Sequence, residues 1–549
     1  MYPQQEGAEL MKWIVNSEEM KACDRNTIRH FGVPSLVLME RAALHVVEQV
    51  QRAVPDIHTA LIVCGNGNNG ADGLAAARML HLQGCRVSVV QKPDAKKCST
   101  ENRFQRDILE RYGIHITERI AQDTVYDCVI DALFGIGLSR APEGIYAQWL
   151  RQMNELCAYK VAVDMPSGVS SDNGAAYDPC FAADLTVTFA YQKAGQILYP
   201  GCEKCGTVVT AEIGITKESW LDKKPSCFTL CPEDLKTLPP RPRRSNKSTF
   251  GRVLAIAGSE NMAGAALFCA QAAYRTGCGL VKIYTCAANR TILQTALPEA
   301  ILSTCQNTIE NDTRSRTFQT AMEEDTRSCS CQIAMEEDTQ SRACQAAMEE
   351  DARSLADAVA WADVIILGPG IGQTSHARRM VHQVLTSANV PVVLDADALN
   401  LIAGQLHLLE QTAAELVITP HPGEMARLCQ KQVPEILETI RETAEAFAER
   451  YHLTCVLKDA VTVTAGPSGT CLNTSGCSAM AKGGSGDVLA GIIASFIAQG
   501  MQTEHAARMG VYLHGLAGEE AARRKGAYSV LARDLMDAVG NIMEGIRSM

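Results

Sequence analysis

The chain has 549 residues and a formal net charge of −11, with 46% hydrophobic and 21% charged residues. This length predicts two substantial domains, and the composition is typical of a globular protein. The negative charge argues against binding to nucleic acids or to anionic membranes. The longest apolar runs, such as residues 364–367, are too short to span a bilayer.

Cysteine usage indicates the cellular compartment. The 22 cysteines are scattered along the chain, and only Cys202 and Cys205 have a metal-like spacing. A structural zinc site needs four ligands, and no second pair is present. The N-terminal stretch also lacks the basic start and apolar core of a secretory signal. We therefore expect unpaired thiols in a cytoplasmic protein.

The first half begins with a helix signal, since Asn16 is followed three residues later by Glu19, the pattern of a capping box. Apolar runs separated mostly by helix-sized gaps then follow, and they read TALIVCG, CRVSVVQ, YDCVIDALFG, YKVAVDMPSG, LTVTFA and TVVTAEIG. Near-continuous runs of this kind are typical of buried parallel strands. The first half is predicted to be an α/β layer fold.

A glycine-rich loop, CGNGNNGADG at residues 64–73, follows the first of these runs. Its glycines allow close backbone approach, and the free N–H groups of a helix starting near Asp72 would face a ligand there. The loop lacks the Lys-Ser/Thr ending of a P-loop. Its sequence alone leaves two readings open, a ligand-binding loop or a tight turn between strand and helix.

Two further strand ends carry polar residues that would lie near this loop. Asp131 ends the third run, and Asp164 and Ser167 belong to the turn DMPSG after the fourth. Asn69, Asp131 and Ser167 would converge as oxygen ligands. One carboxylate with neutral oxygens suits a monovalent or weakly held cation better than zinc.

A break in composition separates the two halves. Residues 221–250 are rich in proline and charge and lack apolar periodicity, which predicts an inter-domain linker with one short ordered element. The second half repeats the α/β rhythm with the runs GRVLAIAGS, GLVKIYT, ADVIILGPGIG, PVVLDADALN, LVITPHPGE and CVLKDAVTVTA. The fold class is therefore α/β, with two doubly wound parallel-sheet domains joined by a Pro-rich linker.

One segment interrupts the second half. The sequence AMEED recurs at 321–325, 334–338 and 347–351, a period of 13 residues. Such a period gives no steady apolar stripe on a helix with 3.6 residues per turn. The insert, at about 312–354, is predicted to be a surface excursion.

The strongest local motif of the second half is AKGGSGDVLAG, residues 481–491, placed before a predicted helix. Successive small residues expose backbone N–H groups to an anion, and the helix dipole adds to the attraction. Asp487 would lie at the helix start as a base for a bound hydroxyl. The segments GSENMAGAA, GPGIG, DADALN and TPHPGE follow the predicted strands of this half.

The motifs GNGNNGADG, DALFGIGL and DMPSG, with the segment MKACDRNTIRHFGVPSLVLMERAA, resemble the NAD(P)H-hydrate epimerase domain over about residues 12–218. The resemblance implies interconversion of R and S hydrates at C6 of the nicotinamide ring, with K⁺ held by Asn69, Asp131 and Ser167. It implies hydrate-binding positions at Asn68, Asn69, Gly70, Ala71, Asp72, Gly135, Ile136, Gly137, Leu138, Ser139, Arg140, Ala141 and Asp164. Asp164 is the first candidate acid/base and Lys193 the second. Ala71 stands where the family usually has glycine.

The motifs of the second half resemble the ADP-dependent NAD(P)H-hydrate dehydratase domain, within the ribokinase-like superfamily, over about 237–549 without the insert. TPHPGE is the most discriminating of them. The resemblance implies that Ala265, Gly370, His421 and Asp487 bind the hydrate, with Asp487 as the catalytic base. It places the adenine nucleotide at Lys458, Asp459, Ala460, Val461, Thr462 and Gly486, with Mg²⁺ bridging the phosphates. The family usually has Lys-Gly where this chain has Lys458 and Asp459.

Together the two resemblances imply a bifunctional enzyme that repairs hydrated NADH and NADPH, with an epimerase domain at 12–220, a linker at 221–236 and a dehydratase domain at 237–549. The implied partners are the hydrates and ADP, without nucleic acid or membrane, and we also expect a homo-oligomer. The alternative is a ribokinase-like kinase of a vitamin precursor fused to a non-catalytic nucleotide-binding module.

Overall fold

The structure is a computed structural model that describes residues 11–94, 96–121, 123–138, 140–305 and 330–546. The chain divides into two compact units between Thr229 and Leu230. The predicted site residue Ser139 and the first part of the predicted insert, 312–329, lie outside the described residues. Among the described residues, no helix combines the length and apolarity needed to cross a membrane.

The first unit is built on a parallel sheet with the strand order β4-β3-β2-β5-β6-β7-β9. A separate short strand, β1, pairs with β8 in parallel and with β10 antiparallel. The ten strands are β1 Lys12–Val15, β2 Thr59–Cys64, β3 Arg86–Gln91, β4 Ile116–Thr117, β5 Cys128–Ala132, β6 Tyr159–Val163, β7 Leu185–Phe189, β8 Gln192–Lys193, β9 Thr207–Ala211 and β10 Cys227–Thr229.

Both faces of this sheet are covered, as the apolar runs predicted. Along β2, Ile62 packs into one hydrophobic cluster, while Leu61 and Val63 pack into the other. Such two-sided burial explains why the strand reads as a continuous apolar run. The α-helices of the unit are Ser17–Arg29, Ser35–Ala53, Asn68–Leu82, Thr100–Arg111, Ile145–Glu155 and Cys202–Cys205, with 3-10 helices at Ala194–Gln196 and Lys217–Trp220.

Helix starts in the first unit follow their capping chemistry. Asn16 and Glu19 form the predicted capping box, in which each side chain accepts a hydrogen bond from the other residue's backbone N–H. The helix predicted to start near Asp72 instead begins at Asn68, with Gly67 as its extended N-cap residue. That prediction was wrong because Gly70 is a packing residue inside the helix and not part of a turn.

Gly70 packs directly on the backbone of the preceding loop, where a Cβ would overlap the carbonyl oxygen of Gly65. Nothing lies within 4 Å of the position that a Cβ on Gly67 would occupy. We therefore expect Gly70→Ala to lower the free energy of unfolding of the first unit by about 3 kcal/mol. The matched Gly67→Ala should cost less than about 1 kcal/mol. Three of the four tryptophans lie in this unit, so denaturant titration followed by tryptophan fluorescence measures the difference. Equal losses for the two variants would contradict this account of the loop.

The second unit contains a sheet with the order β13-β12-β11-β14-β15-β16-β17-β18-β19. Its strands are β11 Arg252–Ile256, β12 Leu280–Cys286, β13 Ile301–Cys305, β14 Val364–Leu367, β15 Val392–Leu394, β16 Leu416–Ile418, β17 Thr454–Leu457, β18 Thr462–Gly466 and β19 Gly469–Asn473. Pairing is parallel from β13 to β17 and antiparallel between β17, β18 and β19. The run CVLKDAVTVTA is thus two strands of a hairpin, because four residues are too few for a parallel crossover.

Helices flank this second sheet. They are Ala263–Thr276, Arg290–Ala296, Ser330–Trp361, Ser375–Ser387, Asp397–Ile402, His407–Gln411, Pro422–Cys429, Val433–Glu438, Ile440–Tyr451, Ser485–Ala498, Thr503–Lys525 and Ala532–Ile546, with 3-10 helices at Pro232–Thr237, Lys247–Phe250, Ala287–Asn289 and Ser478–Met480. The described part of the insert, from Ser330 onward, is continuous with a helix that ends at Trp361. The α/β class with parallel sheets is confirmed for both units.

Candidate active sites

The first unit holds a cavity of about 750 Å³ at the carboxyl ends of its parallel strands. The loops after β2 and β5 and the residue after β6 line it, as expected for ligand sites in parallel sheets. The predicted residues that line it are Asn68, Asn69, Asp72, Gly135, Ile136, Gly137, Leu138, Arg140, Ala141, Asp164 and Lys193. Gly70 and Ala71 are buried beneath this wall, in the helix itself.

Asp164 is held at the floor of this cavity by an ion pair. The Lys193 ammonium donates to its Oδ1 at 2.6 Å, and the Thr188 hydroxyl donates to the same oxygen at 3.2 Å. Lys193 is only 1% exposed, and it also donates to the carbonyl oxygen of Phe189. The carboxylate is therefore fixed in orientation while it faces the cavity.

The backbone at this point is also constrained. Asp164 has a φ of 66°, in the left-handed region that non-glycine residues seldom adopt. The Gln196 side-chain amide holds this turn by donating to the carbonyl oxygen of Asp164 at 2.7 Å. Strained residues of this kind concentrate at functional sites.

Gly135 brings two of the predicted strand ends together. A Cβ there would lie 3.2 Å from Oδ2 of Asp164 and 3.3 Å from Oδ1 of Asn69. The two polar side chains therefore approach Gly135 together, which a larger residue would obstruct. Of the two asparagines of the loop, Asn69 is the one that approaches Gly135 beside Asp164.

Asp131 and Ser167 form a second buried cluster behind the loop. The Ser167 backbone N–H donates to Asp131 Oδ2 and its hydroxyl to Oδ1, each at 2.7 Å, and the Leu133 N–H donates to Oδ1. Burial raises the pKa of Asp131 to about 6 despite these donors. Asn69 is half-buried, and its buried Nδ2 atom has no hydrogen-bond partner among the described residues. One carboxylate with neutral oxygens is a donor set that fits a monovalent cation.

In the second unit the central polar group is Asp395, which follows β15. Lys458 donates to its Oδ1 at 2.9 Å and the Thr419 hydroxyl donates to the same oxygen at 2.7 Å. A Cβ on Gly486 would lie 3.3 Å from the Lys458 ammonium and 3.7 Å from Asp395 Oδ2. This ion pair therefore lies directly beneath the glycine-rich loop.

The glycine-rich loop leads into the helix Ser485–Ala498 through Gly484, the N-cap residue, which has the left-handed conformation. Gly484 has a φ of 90°, and a Cβ there would lie 2.7 Å from the ring of Phe268. The helix N-terminus leaves backbone N–H groups free to bind an anion. Asp487 lies in the first turn of the helix, as predicted.

Asp487 is a desolvated carboxyl group. Burial raises its pKa to about 6, and the negative charge of Asp395 adds to the shift, while Lys458 opposes it. A general base acts only in its ionised form, and a pKa near the working pH suits that role.

The dehydration that the sequence predicts should depend on pH through this shift. If Asp487 is the base, the rate falls as the pH drops through about 6, where the carboxylate takes up a proton. We expect kcat for dehydration to decrease about tenfold for each pH unit below that value. Initial rates between pH 5 and 8 measure this; a kcat that stays constant down to pH 5 would contradict the assignment.

His421 begins the helix Pro422–Cys429 as its N-cap residue. Its Nδ1 accepts a hydrogen bond from the Gly423 N–H at 3.0 Å, while Glu424 Oε2 accepts from the His421 N–H. Nδ1 is an acceptor, so the neutral ring carries its proton on Nε2. Burial and the charge of Lys458 lower the pKa of His421, which favours this neutral form.

The remaining predicted residues divide into two groups. Ala265 and Gly370 are neighbours, since a Cβ on Gly370 would lie 2.9 Å from that of Ala265. In the hairpin turn, Lys458 reaches Asp395, whereas Asp459 and Ala460 are exposed and Val461 and Thr462 are half-buried.

Sequence reasoning missed several residues that hold these sites. In the first unit Thr188 is a polar residue inside a buried strand, and this unusual position could have indicated a role in the site. In the second unit Asp395 and Thr419 follow strand ends within the quoted motifs, but no role was assigned to them. Polar residues at the carboxyl ends of parallel strands were the common signal.

The comparisons with known proteins cover both units. A family model described as NAD(P)H-hydrate dehydratase matches residues 253–541, and one described as YjeF-related protein N-terminus matches residues 35–195. The bifunctional NAD(P)H-hydrate repair enzyme Nnr of Moorella thermoacetica is 33% identical to this chain, covering 97% of each. The Escherichia coli enzyme of the same name is 31% identical, and the match covers 96% of this chain and 93% of the Escherichia coli chain.

A solved structure also matches the second half. The ADP/ATP-dependent NAD(P)H-hydrate dehydratase of Bacillus subtilis, co-crystallised with ATP/Mg²⁺, is 29% identical, with a TM-score of 0.44. The match covers 58% of this chain and 97% of the Bacillus subtilis chain. The fold and the two strand-end sites define a two-unit α/β enzyme. The full-length relatives then give its family: the chain belongs to the bifunctional NAD(P)H-hydrate repair enzymes.

Proposed function

We propose that this protein repairs hydrated NADH and NADPH with two activities in one chain. The epimerase domain, residues 12–220 in the first unit, interconverts the R and S hydrates at C6 of the nicotinamide ring. The dehydratase domain, residues 237–549 in the second unit, removes water from the S form with Mg·ADP as co-substrate. The observation that carries the proposal is the placement of Asp487 at a glycine-rich helix start, above the Asp395–Lys458 ion pair.

In the epimerase unit, Asp164 is the group that we propose to exchange protons with the hydrate. Its carboxylate faces the cavity and is oriented by Lys193 and Thr188, which supports a positioned acid/base. Lys193 is 1% exposed and hydrogen-bonded by three acceptors, which favours an orienting role for it over direct proton transfer.

We assign potassium to Asn69, Asp131 and Ser167. The buried carboxyl group of Asp131 and the neutral oxygen of Ser167 beside it support this assignment. A bound cation would offset the phosphate charge of the dinucleotide in an otherwise acidic protein. Asn68 to Asp72 and Gly135 to Ala141 would hold the rest of the hydrate.

In the dehydratase unit, hydroxide is a poor leaving group, so phosphorylation of the C6 hydroxyl precedes its loss. Asp487 takes the hydroxyl proton, and the N–H groups of 483–486 stabilise the charge on the transferred phosphoryl group. Loss of phosphate, driven by the N1 lone pair, then forms a C6=N1 iminium, and loss of a proton from C5 to water restores the dihydronicotinamide ring.

The binding residues of this unit follow its geometry. Ala265, Gly370 and the neutral ring of His421 would contact the hydrate, and Gly486 with residues 458–462 would contact ADP. Lys458 lies against the loop, and this position supports a contact with phosphate. The exposure of Asp459 supports placing its charge away from the phosphates.

Chromatography of separated R and S hydrates tests both activities. Without nucleotide, either isomer should convert to a mixture of the two. With Mg·ADP, both should disappear as NADH or NADPH forms. Conversion of the S hydrate to a stable phosphorylated product would support the kinase alternative instead.

We further propose a cytoplasmic homo-oligomer. No disulfide joins the cysteines whose side chains the structure describes, which supports a reducing compartment. Phe31, between the first two helices of the first unit, and Val37 and Leu44, on the second of them, are each more than 40% exposed and would suit an interface between copies. Light scattering of the purified chain measures the oligomer.

A further inference from the structure

The cavity of the first unit contains a carboxyl group that the chemistry above does not use for proton transfer. Asp72 lies on the helix Asn68–Leu82, one turn after Asn69, so the two side chains share a face. It lines the cavity together with Asp164 and is half-buried. Within the described part of the chain, its carboxyl group makes no hydrogen bond and no ion pair.

The charges that face Asp72 favour its protonated form. Burial, followed by the nearby carboxylates of Asp164 and Asp24, raises the pKa of Asp72 well above its ordinary range. The buried thiol of Cys64 also faces it. The other ionisable residues that line the cavity are Lys21, Lys97, Arg140, Glu143, Tyr146 and Lys193.

None of the cations of this cavity in the described structure pairs with Asp72. Lys193 is bonded to Asp164, and Lys97 lies 3.9 Å from Asp94. Asp72 is thus a carboxyl group without a counter-charge, next to one that has its own. Burial without a partner disfavours the ionised form of an acid.

The two carboxyl groups of the cavity therefore differ in their electrostatic surroundings. Asp164 has the Lys193 ammonium as its counter-charge, whereas Asp72 has none and its burial favours the protonated form. Pairs of acids whose surroundings separate their protonation states supply one acid and one base to a reaction. Inversion at a carbon that carries a hydroxyl needs both, because a group must leave from one face and return to the other.

We propose that Asp72 is a second catalytic residue of epimerisation, the acid that protonates the C6 hydroxyl of the hydrate. Asp164 is its complement, the base that acts on water at the opposite face of the ring. The inference rests on the proposed function and adds the residue that completes the acid/base pair.

The proposed epimerisation proceeds by loss of water from C6 and its addition to the opposite face. Asp72 gives its proton to the C6 hydroxyl, the C6–O bond breaks, and water leaves as the N1 lone pair forms a C6=N1 iminium. A water molecule then adds to the other face of C6, the electron pair returns to N1, and Asp164 accepts the proton that this water loses. Proton exchange with solvent returns Asp164 to its ionised form and Asp72 to its protonated form, so no other reactant is needed.

The substitution Asp72→Asn tests this role, because asparagine is neutral like the protonated acid and of the same size. Epimerisation of separated R hydrate without nucleotide is followed by chromatography, and the uncatalysed rate is subtracted. We expect kcat to fall about 100-fold or more while KM changes little. In the unsubstituted protein kcat falls on the alkaline side as Asp72 ionises, and the residual activity of the variant lacks this alkaline fall.

Dehydration of S hydrate by the same preparation, and the tryptophan unfolding transition, show that the variant chain is folded. Asp107→Asn, on the exposed face of the helix Thr100–Arg111, is the matched control and should keep the original kcat. Asp72→Glu retains an acid, so its alkaline fall should persist and its activity should exceed that of Asp72→Asn. The glutamate variant alone decides the question if the asparagine variant does not fold.

The possible results distinguish a failure of the proposed function from a failure of the proposed role of Asp72. Absence of epimerisation in the unsubstituted protein would refute the proposed function itself. Epimerisation that survives Asp72→Asn with its kcat and alkaline fall intact would overturn the role of Asp72 alone. A raised KM with unchanged kcat would also overturn it, since Asp72 would then only bind. Loss of the alkaline fall in Asp72→Glu would do the same.

Discussion

Asp487→Asn should abolish most of the Mg·ADP-dependent dehydration while epimerisation continues. Asparagine preserves the size of the side chain but cannot take the hydroxyl proton, so we expect kcat to fall about 1000-fold. The KM for the hydrate should change little, because the loop and Lys458 remain in place. The rate of NADH formation from S hydrate under saturating Mg·ADP is the measurement.

Two controls accompany this variant. Epimerisation by the first unit reports the integrity of the chain, and Asp357→Asn removes an exposed carboxylate of the second unit outside the site. The second unit should also be at least as stable in Asp487→Asn, because the substitution removes a desolvated carboxyl group next to Asp395. A kcat within about tenfold of the original would show that Asp487 is not the base.

Asp164→Asn should have the corresponding effect on the first unit. Asparagine tolerates the left-handed backbone that Asp164 adopts, so the turn should keep its shape. The variant cannot accept a proton from water, and we expect kcat for epimerisation to fall about 1000-fold. Chromatography of R hydrate without nucleotide measures the loss, and dehydration of S hydrate should be unchanged.

The same substitution leaves Lys193 buried without its counter-charge, which should destabilise the first unit by about 3 kcal/mol. The double variant Asp164→Asn with Lys193→Met removes the unpaired charge and should recover part of that stability without recovering activity. Recovery of epimerisation in the double variant would contradict the role of Asp164. Unfolding followed by tryptophan fluorescence separates the two effects.

Most of the strands that the sequence predicted are buried along their length. Runs such as LIVC and VIIL are continuous because every residue in them is buried, which is typical of parallel strands covered on both faces. The strands β1, β10 and β13 are among those that were not predicted. Their partners lie elsewhere in the chain or their side chains are partly exposed, so local composition carries little signal.

The glycine-rich loops were found, but their internal geometry was not. In CGNGNNGADG, the expected close backbone approach is present at Gly70, which packs on Gly65, but Gly70 already belongs to the helix that was predicted to start near Asp72. A glycine needed for close packing and a glycine needed for a turn look alike in one sequence. The distinction depends on which backbone lies opposite, which only the fold determines.

The residues of the candidate sites were likewise only partly predicted from the sequence. Asp164 and Asp487 were predicted from their positions at strand or helix ends, where parallel sheets place ligands. The residues around them were only partly foreseen, because Thr188, which bonds Asp164, and Asp395, whose charge acts on Asp487, belong to other strands or strand ends. The different surroundings of Asp72 and Asp164 were not visible at all, since they depend on the burial of Asp72 and on the ion pair of Asp164 with Lys193.

The central claim is that one chain performs both epimerisation and dehydration. An equal mixture of R and S hydrates is incubated with the purified protein, Mg²⁺ and excess ADP, and the absorbance of the reduced nicotinamide is followed to completion. Because the first unit continually converts R to S, the account predicts recovery of nearly all the NADH or NADPH. Recovery that stops near one half, with the R hydrate left over, would contradict it.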